Sequence, residues 1–81
     1  MTTATKPRSI SAIASEIRKV WNPVNYAAKP YLEAMLSLHS IEDDYYADTG
    51  RSVVLYFLAN ASTFRGEDAR RIKAELKEIL K

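Results

Sequence analysis

The chain of 81 residues contains a single histidine, His39, and no cysteine, so few of its groups could act as a base or a nucleophile. His39 and a nearby serine could in principle form a base and nucleophile pair. However, the sequence places no third group to orient the imidazole, and it has no glycine-rich turn for a nucleophile or an oxyanion. We therefore expect a noncatalytic protein that needs no cofactor and has no small-molecule substrate.

Four carboxylates and two tyrosines are concentrated between positions 42 and 48. Carboxylate oxygens suit Ca²⁺ or Mg²⁺, but the alternating ligands and the central glycine of a calcium-binding loop are missing, so we expect no metal site. Tyrosine offers a large contact area at a small entropic cost, and the neighbouring carboxylates would favour a basic partner. The sequence therefore predicts a protein-contact surface made of Glu42, Asp43, Asp44, Tyr45 and Tyr46.

A basic stripe runs along the last predicted helix, where four cationic residues are spaced three or four positions apart: Arg70, Lys73, Lys77 and Lys81. Such a stripe can neutralise the phosphates of a nucleic acid. Glu67 and Asp68 oppose this interpretation, since base contacts usually come from the first turn of a recognition helix. Nucleic-acid binding through the stripe is therefore the alternative to protein binding.

The most apolar stretch of the chain, residues 52–61, must position these groups. A short apolar run can be a buried strand or a buried helix, and periodicity alone does not separate the two. We favour a helix because no second strand-like run is present to pair with it, and because Asp48, Thr49 and Ser52 can cap a helix start. The stretch is far shorter than the roughly 20 residues that a membrane span requires. It is expected to be the central helix of a bundle.

Two amphipathic helices are predicted before this stretch. The first is capped by Ser9 and ended by Asn22-Pro23, and its apolar residues recur at helical spacing. These residues are Ile10, Ile13, Ala14, Ile17, Val20 and Trp21. The second runs from Lys29 or Pro30 to about His39, where an imidazolium would favour the negative end of the helix dipole. Tyr26 and Ala27 are expected to cover the first helix.

Two further segments complete the predicted bundle. The acidic connection after Ser40 is expected to hold one short helical turn, with Ile41 as its anchor in the core. The last helix is predicted from Arg65 to about Leu80, with Ser62 or Thr63 as its cap and Phe64 closing the end of the bundle. Its apolar face consists of Ala69, Ile72, Leu76, Ile79 and Leu80.

Length and composition set the domain organisation. We expect an all-α fold, a compact bundle of about four helices around the central apolar helix, in one domain over residues 9–81. Residues 1–8 are polar and are expected to form a flexible tail. Twelve Lys and Arg face ten Asp and Glu, a balance that decides little about partners. Because neither an apolar leader nor a long apolar segment is visible, we expect a cytoplasmic protein without membrane contact.

Three stretches resemble small uncharacterised proteins of actinobacterial bacteriophages and their hosts. They are residues 29–35 (KPYLEAM), residues 53–61 (VVLYFLANA), and residues 64–66 and 69–76 (FRG and ARRIKAEL). The similarity covers most of residues 9–80 and is carried by packing residues. It implies at most an accessory protein of a phage or mobile element, and it gives no residue a role. Because the sequence offers no catalytic constellation and has many large apolar groups for so small a core, we expect a noncatalytic module that binds another protein or a second copy of itself, through the tyrosine-bearing loop or an exposed aromatic edge.

Overall fold

The computed structural model describes residues 8–46 and 48–81, with Tyr45 described in its backbone only. Within these residues the chain forms four helices: α1 (Ile10–Val20), α2 (Lys29–Met35), α3 (Gly50–Ala59) and α4 (Glu67–Leu80). Two short strands, β1 (Asp44–Tyr45) and β2 (Asp48–Thr49), form an antiparallel hairpin between α2 and α3. The predicted all-α bundle of about four helices is confirmed. No helix in the described part of the chain is long and apolar enough to cross a membrane.

The helices form a ring around the core. α1 packs against α2 and α4, and α3 packs against the same two helices and against both strands of the hairpin. Every helix contributes side chains that are almost completely buried, among them Ile13 of α1, Met35 of α2, Phe57 of α3 and Leu76 of α4. The helix with the longest apolar run, α3, is therefore one of four sides of the core.

Helix α1 begins where the sequence predicts. Ser9 is its N-cap, and the Ser9 Oγ accepts a hydrogen bond from the Ala12 N–H at 3.1 Å. The predicted apolar face is buried at Ile10, Ile13, Ala14 and Ile17. The prediction was wrong for Val20, which is 40% exposed. Trp21 covers this end of the core instead, since its ring stacks on Phe64 with the centroids 4.8 Å apart.

Helix α2 is shorter than predicted. Pro30 lies in its first turn, where a missing N–H and a fixed φ are tolerated. The helix ends before His39, so the predicted interaction of His39 with the helix dipole was wrong. The carbonyls of Leu38 and His39 instead accept the backbone N–H groups of Ser11 and Ile10 at 2.9 and 3.1 Å. These carbonyls satisfy two of the free N–H groups at the start of α1.

The connection between α1 and α2 places the side chain of Tyr26 in solvent. The Asn25 Oδ1 accepts the Ala27 N–H at 2.8 Å, which is the local hydrogen bond of an Asx turn. The Asn25 amide also donates to the Thr63 hydroxyl at 3.4 Å and joins this turn to the loop before α4. Tyr26 is 88% exposed, so the prediction that it covers α1 was wrong.

The acidic connection contains a hairpin where a short helical turn was predicted. The Asp43 N–H donates to the Ser40 carbonyl at 3.2 Å, which closes a tight turn rather than a helix. The chain then pairs Asp44 with Thr49 across the hairpin. Ile41 is partly buried against the core, as predicted.

Helix α3 starts at Gly50, two residues before the predicted apolar stretch. Thr49 is its N-cap, and the Thr49 Oγ1 accepts the Ser52 N–H at 3.2 Å. The backbone of the preceding turn approaches closely, since the Gly50 N–H donates to the Asp43 carbonyl at 2.6 Å. Val53 and Val54 are buried beside Gly50 and anchor this end of α3 in the core.

Helix α4 starts at Glu67, later than predicted, and neither Ser62 nor Thr63 caps it. The residue before it is Gly66, whose φ of 109° lies in a region that residues with a Cβ atom rarely adopt. Phe64 is 2% exposed and closes this end of the core, as the sequence predicts. The predicted apolar face is confirmed, with three residues buried and two partly buried: Ala69, Ile72, Leu76, Ile79 and Leu80.

Candidate interaction surfaces

The acidic hairpin presents some of its predicted contact residues to solvent and uses another within the chain. Glu42 and Asp44 are exposed. The Asp43 carboxylate instead accepts the backbone N–H groups of His39 and Ser40 at 2.8 and 3.3 Å. Asp43 therefore holds the turn before the hairpin, and it is less available to a partner than the sequence suggests.

The structure describes the side chain of Tyr46 but only the backbone of Tyr45. Tyr46 has a φ of 56° at the turn of the hairpin, and its side chain is 91% exposed. Tyr45 pairs with Asp48 in the backbone register, but its side chain lies outside the described residues, as does Ala47. Among the described residues, no group of three or more His, Asp or Glu side chains is arranged to hold a metal ion.

His39 lies at a surface cavity of about 510 Å³ between the start of α1, the turn after α2 and the end of α4. Ser9 and Ser40 line the same cavity. In the part of the chain that the structure describes, no hydrogen bond joins the imidazole to either hydroxyl. The Ser9 Oγ bonds with the Ser11 hydroxyl and accepts the Ala12 N–H, and the Ser40 Oγ accepts the Glu42 N–H at 3.2 Å. The His39 imidazole and the two serine hydroxyls are therefore not hydrogen-bonded as a base and nucleophile pair in the described structure.

The outer face of α3 is an exposed apolar surface, and the sequence analysis did not place such a surface on this helix. Leu55 and Tyr56 are 50% and 48% exposed, although they lie in the most apolar stretch of the chain. The Tyr56 ring packs against Tyr31 of α2 at a centroid distance of 5.5 Å and a tilt of 41°, which extends the apolar surface onto a second helix. At 3.6 residues per turn, the midpoint between Leu55 and Tyr56 lies about 160° around the helix from the midpoint between Val53 and Val54. Because both faces of α3 are apolar, the sequence pattern did not distinguish the open face from the buried one.

The basic stripe lies along one flank of α4, as predicted from its spacing. Arg70, Lys77 and Lys81 are exposed, while Lys73 is partly buried. The Lys73 ammonium stands 5.7 Å from the centroid of the Phe64 ring, which is the geometry of a cation–π contact. Burial lowers the pKa of Lys73 from its usual value, and the positive charges of Lys77 and Arg65 lower it further. Arg65 therefore belongs to this basic cluster, although the sequence analysis did not include it.

The opposite flank of α4 forms an ion-pair network with α1. Arg8 contacts Glu75 at 2.6 Å and Glu16 at 2.8 Å, and Arg71 contacts Glu16 and, at 3.2 Å, Asp68. The hydrogen bond from Arg71, followed by that from Arg8, lowers the pKa of Glu16 below its usual range. Residues 1–7 of the predicted tail lie outside the described residues, whereas Arg8, its last residue, is held against the domain.

Comparison with known proteins assigns no activity to these surfaces. No protein-family model matches the chain, and neither a curated protein nor a solved structure matches it. The relation to bacteriophage proteins therefore stays a prediction, and the functional argument rests on the geometry of the surfaces.

Proposed function

We propose that the protein is a noncatalytic interaction module of the cytoplasm that pairs with a second copy of itself through the outer face of α3. The observation that carries this proposal is the exposure of Leu55 and Tyr56 at about half of their surface, on a helix whose opposite face is buried. A large apolar side chain gains roughly 1.5 to 3 kcal/mol between full exposure and full burial, and a half-exposed one such as Leu55 has about half of that still to gain. Two such residues side by side favour a protein partner.

The charge distribution favours a second copy as this partner. Arg51 is the only charged residue within α3, and its guanidinium already donates to the Leu80 carbonyl at the end of α4. A two-fold axis through the outer face would bring Leu55 and Tyr56 of one copy against the same residues of the other. The outer face itself carries no charged side chain, so like-charge repulsion in this pairing is limited to Arg51 at its edge.

The size of the face predicts a weak dimer. The ten residues of α3 span about 15 Å at a rise of 1.5 Å per residue, and Tyr31 widens the surface on one side. A stable interface of standard size buries about 800 Å² on each partner, more than one such helix face supplies. We therefore expect a dimer that dissociates on dilution.

Sedimentation velocity over a range of protein concentrations tests the proposal. The double variant Leu55→Gln with Tyr56→Gln removes one aliphatic and one aromatic side chain from the α3 face. Val20→Gln with Tyr26→Gln removes the same two kinds of side chain from exposed positions elsewhere, and it serves as the matched control. Thermal unfolding of both variants checks that the fold is retained.

The expected result is a concentration-dependent dimer in the wild type and the control, and a monomer in the α3 variant. A wild-type monomer at every concentration would contradict self-association and would reassign the apolar face to a different protein. Dimers of equal strength in all three proteins would show that the interface lies away from α3.

A further inference from the structure

We propose that the basic flank of α4, with Arg65 from the preceding loop, binds the phosphate backbone of duplex nucleic acid without reading its sequence. This surface consists of Arg65, Arg70, Lys73 and Lys77. It is separate from the outer face of α3, so the two activities stand or fall independently.

The charges on this flank are not neutralised by the carboxylates that alternate with them in the sequence. Asp68 contacts Arg71 at 3.2 Å and Glu75 contacts Arg8 at 2.6 Å, so both carboxylates are held on the flank that faces α1. Within residues 8–46 and 48–81, neither Arg70 nor Lys73 nor Lys77 forms an ion pair. Folding therefore separates a mixed sequence into a paired flank and an unpaired cationic flank.

The Lys73 region concentrates this positive charge. Its ammonium is held near the Phe64 ring rather than extended into water, and the charges of Arg65 and Lys77 act on it. Crowded like charges repel each other, and a polyanion relieves this repulsion when it binds. The partner that fits the cluster is therefore a chain of closely spaced negative charges.

The spacing of the stripe matches a phosphate backbone. From Arg70 to Lys77 the helix rises about 10 Å at 1.5 Å per residue, and the three cations lie within about 60° of the helix circumference. A strand of duplex DNA carries one phosphate per 3.4 Å of its axis, so these cations lie alongside about three phosphates. Lys81 contributes least, because its ammonium contacts Glu78 at 3.4 Å.

Two features limit the contact to the backbone. The first turn of α4 carries Glu67 and Asp68, and carboxylates there disfavour insertion of the helix end into a groove lined by phosphates. The stripe itself holds Arg and Lys at the flank of the helix, a position suited to phosphate contacts, which carry no sequence information directly. A nucleic-acid duplex is favoured over an anionic membrane because the large apolar residues of α4 are buried or partly buried against the core and do not form an exposed apolar face for insertion between lipids.

Fluorescence anisotropy of a labelled 20-base-pair DNA duplex of mixed sequence, titrated with the full chain at several salt concentrations, tests the proposal. Arg70→Gln with Lys77→Gln removes two exposed charges from the surface. Arg18→Gln with Lys19→Gln removes two exposed charges from α1 and gives the same change in net charge. A double-stranded RNA of the same length and vesicles of phosphatidylcholine with phosphatidylserine provide the other two arms.

The expected affinity is weak and falls about 100-fold between 50 and 200 mM salt, as for a contact with about four phosphates. The α4 variant should weaken binding at least about tenfold at low salt, whereas the α1 variant should change it less than about threefold. Binding to RNA but not to DNA would overturn the fit to B-form DNA drawn from the phosphate spacing. Equal losses in both variants, binding to vesicles alone, or no binding to either duplex would overturn the proposal as a whole.

Discussion

Arg8 and Glu75 lie 67 positions apart in the sequence, and the Arg8 Nε and Nη2 donate to the two carboxylate oxygens of Glu75 at 2.9 and 2.6 Å. The remaining guanidinium nitrogen, Nη1, contacts Glu16 of α1 at 2.8 Å. A single side chain thus joins the residue before α1 to both α1 and α4. Two parallel N–H donors on one carboxylate give this pair a fixed geometry that a lysine could not reproduce.

A double-mutant cycle with Arg8→Gln and Glu75→Gln should therefore show a coupling free energy of about 0.5 to 1 kcal/mol in urea unfolding. The value is modest because Arg8 is 38% exposed and solvent screens the pair. Lys81 and Glu78 form the matched control, since they make one contact at 3.4 Å with both side chains more than 70% exposed. Equal coupling in the two cycles would show that the paired geometry adds nothing.

The acid sensitivity of the fold should depend on Glu16. Its pKa is lowered in the folded state, first by the hydrogen bond from Arg71 and then by that from Arg8. A carboxylate of this kind contributes its full stabilisation above the unfolded pKa of about 4.3, and it loses that contribution as the pH falls through the lower folded value. The free energy of unfolding should therefore fall more steeply below about pH 5 in the wild type than in Glu16→Gln.

Urea unfolding at several pH values between neutrality and about pH 3 checks this dependence. The variant should be less stable than the wild type at pH 7, and the difference should shrink on acidification. Glu33→Gln controls for the loss of one exposed carboxylate from another helix. A difference between Glu16→Gln and the wild type that stays constant across the range would show that Glu16 does not titrate differently in the folded chain.

Features that depend on neighbours in the sequence could be predicted. The cap of α1 by Ser9 and the cap of α3 by Thr49 each require a hydroxyl three residues before the N–H that it accepts. Pro30 in the first turn of α2 and the apolar face of α4 follow from equally local rules. These signals are contained in a few consecutive residues, so tertiary packing did not change them.

Features that depend on contacts between distant segments could not be predicted. α2 ends at Met35, and the carbonyls of Leu38 and His39 then accept the first N–H groups of α1, a contact between segments that are distant in the sequence. The basic stripe on α4 could be located from its spacing. Whether its cations form ion pairs with nearby carboxylates depends on how α1 packs against α4, and this could not be predicted. The exposed state of Leu55 likewise depends on which face of an apolar helix its neighbours cover.

Gly50 should not tolerate even a methyl group. A Cβ built at this position would lie 2.7 Å from the Ser40 carbonyl oxygen and 3.0 Å from the backbone of Ile41. Both are backbone atoms, and the Arg51 N–H bond to the Ile41 carbonyl at 3.0 Å keeps them in place. Gly50→Ala should therefore lower the free energy of unfolding by about 1 to 3 kcal/mol, although alanine favours helices.

Chemical denaturation of Gly50→Ala measures this loss. Ser15→Ala, on the exposed face of α1, introduces the same residue in a helix without a close backbone contact, and it should change stability by no more than about 0.5 kcal/mol. A Gly50→Ala variant as stable as the wild type would show that the turn at Ser40 can move away from α3.

The environment of Trp21 gives a spectroscopic test of the loop before α4. Trp21 is the single tryptophan of the chain, and its ring stacks on Phe64 at 4.8 Å with an interplanar angle of 17°. Phe57 meets the same ring edge-on at 6.2 Å. Phe64→Leu and Phe57→Leu both remove an aromatic ring from the core, and each should cost stability through the lost packing.

Only Phe64→Leu removes the ring that shields one face of the indole. The native fluorescence of Trp21 should therefore shift to longer wavelength in Phe64→Leu and much less in Phe57→Leu. Equal shifts in the two folded variants would contradict the stacked arrangement and, with it, the position of Phe64 beside the Lys73 ammonium on the basic flank.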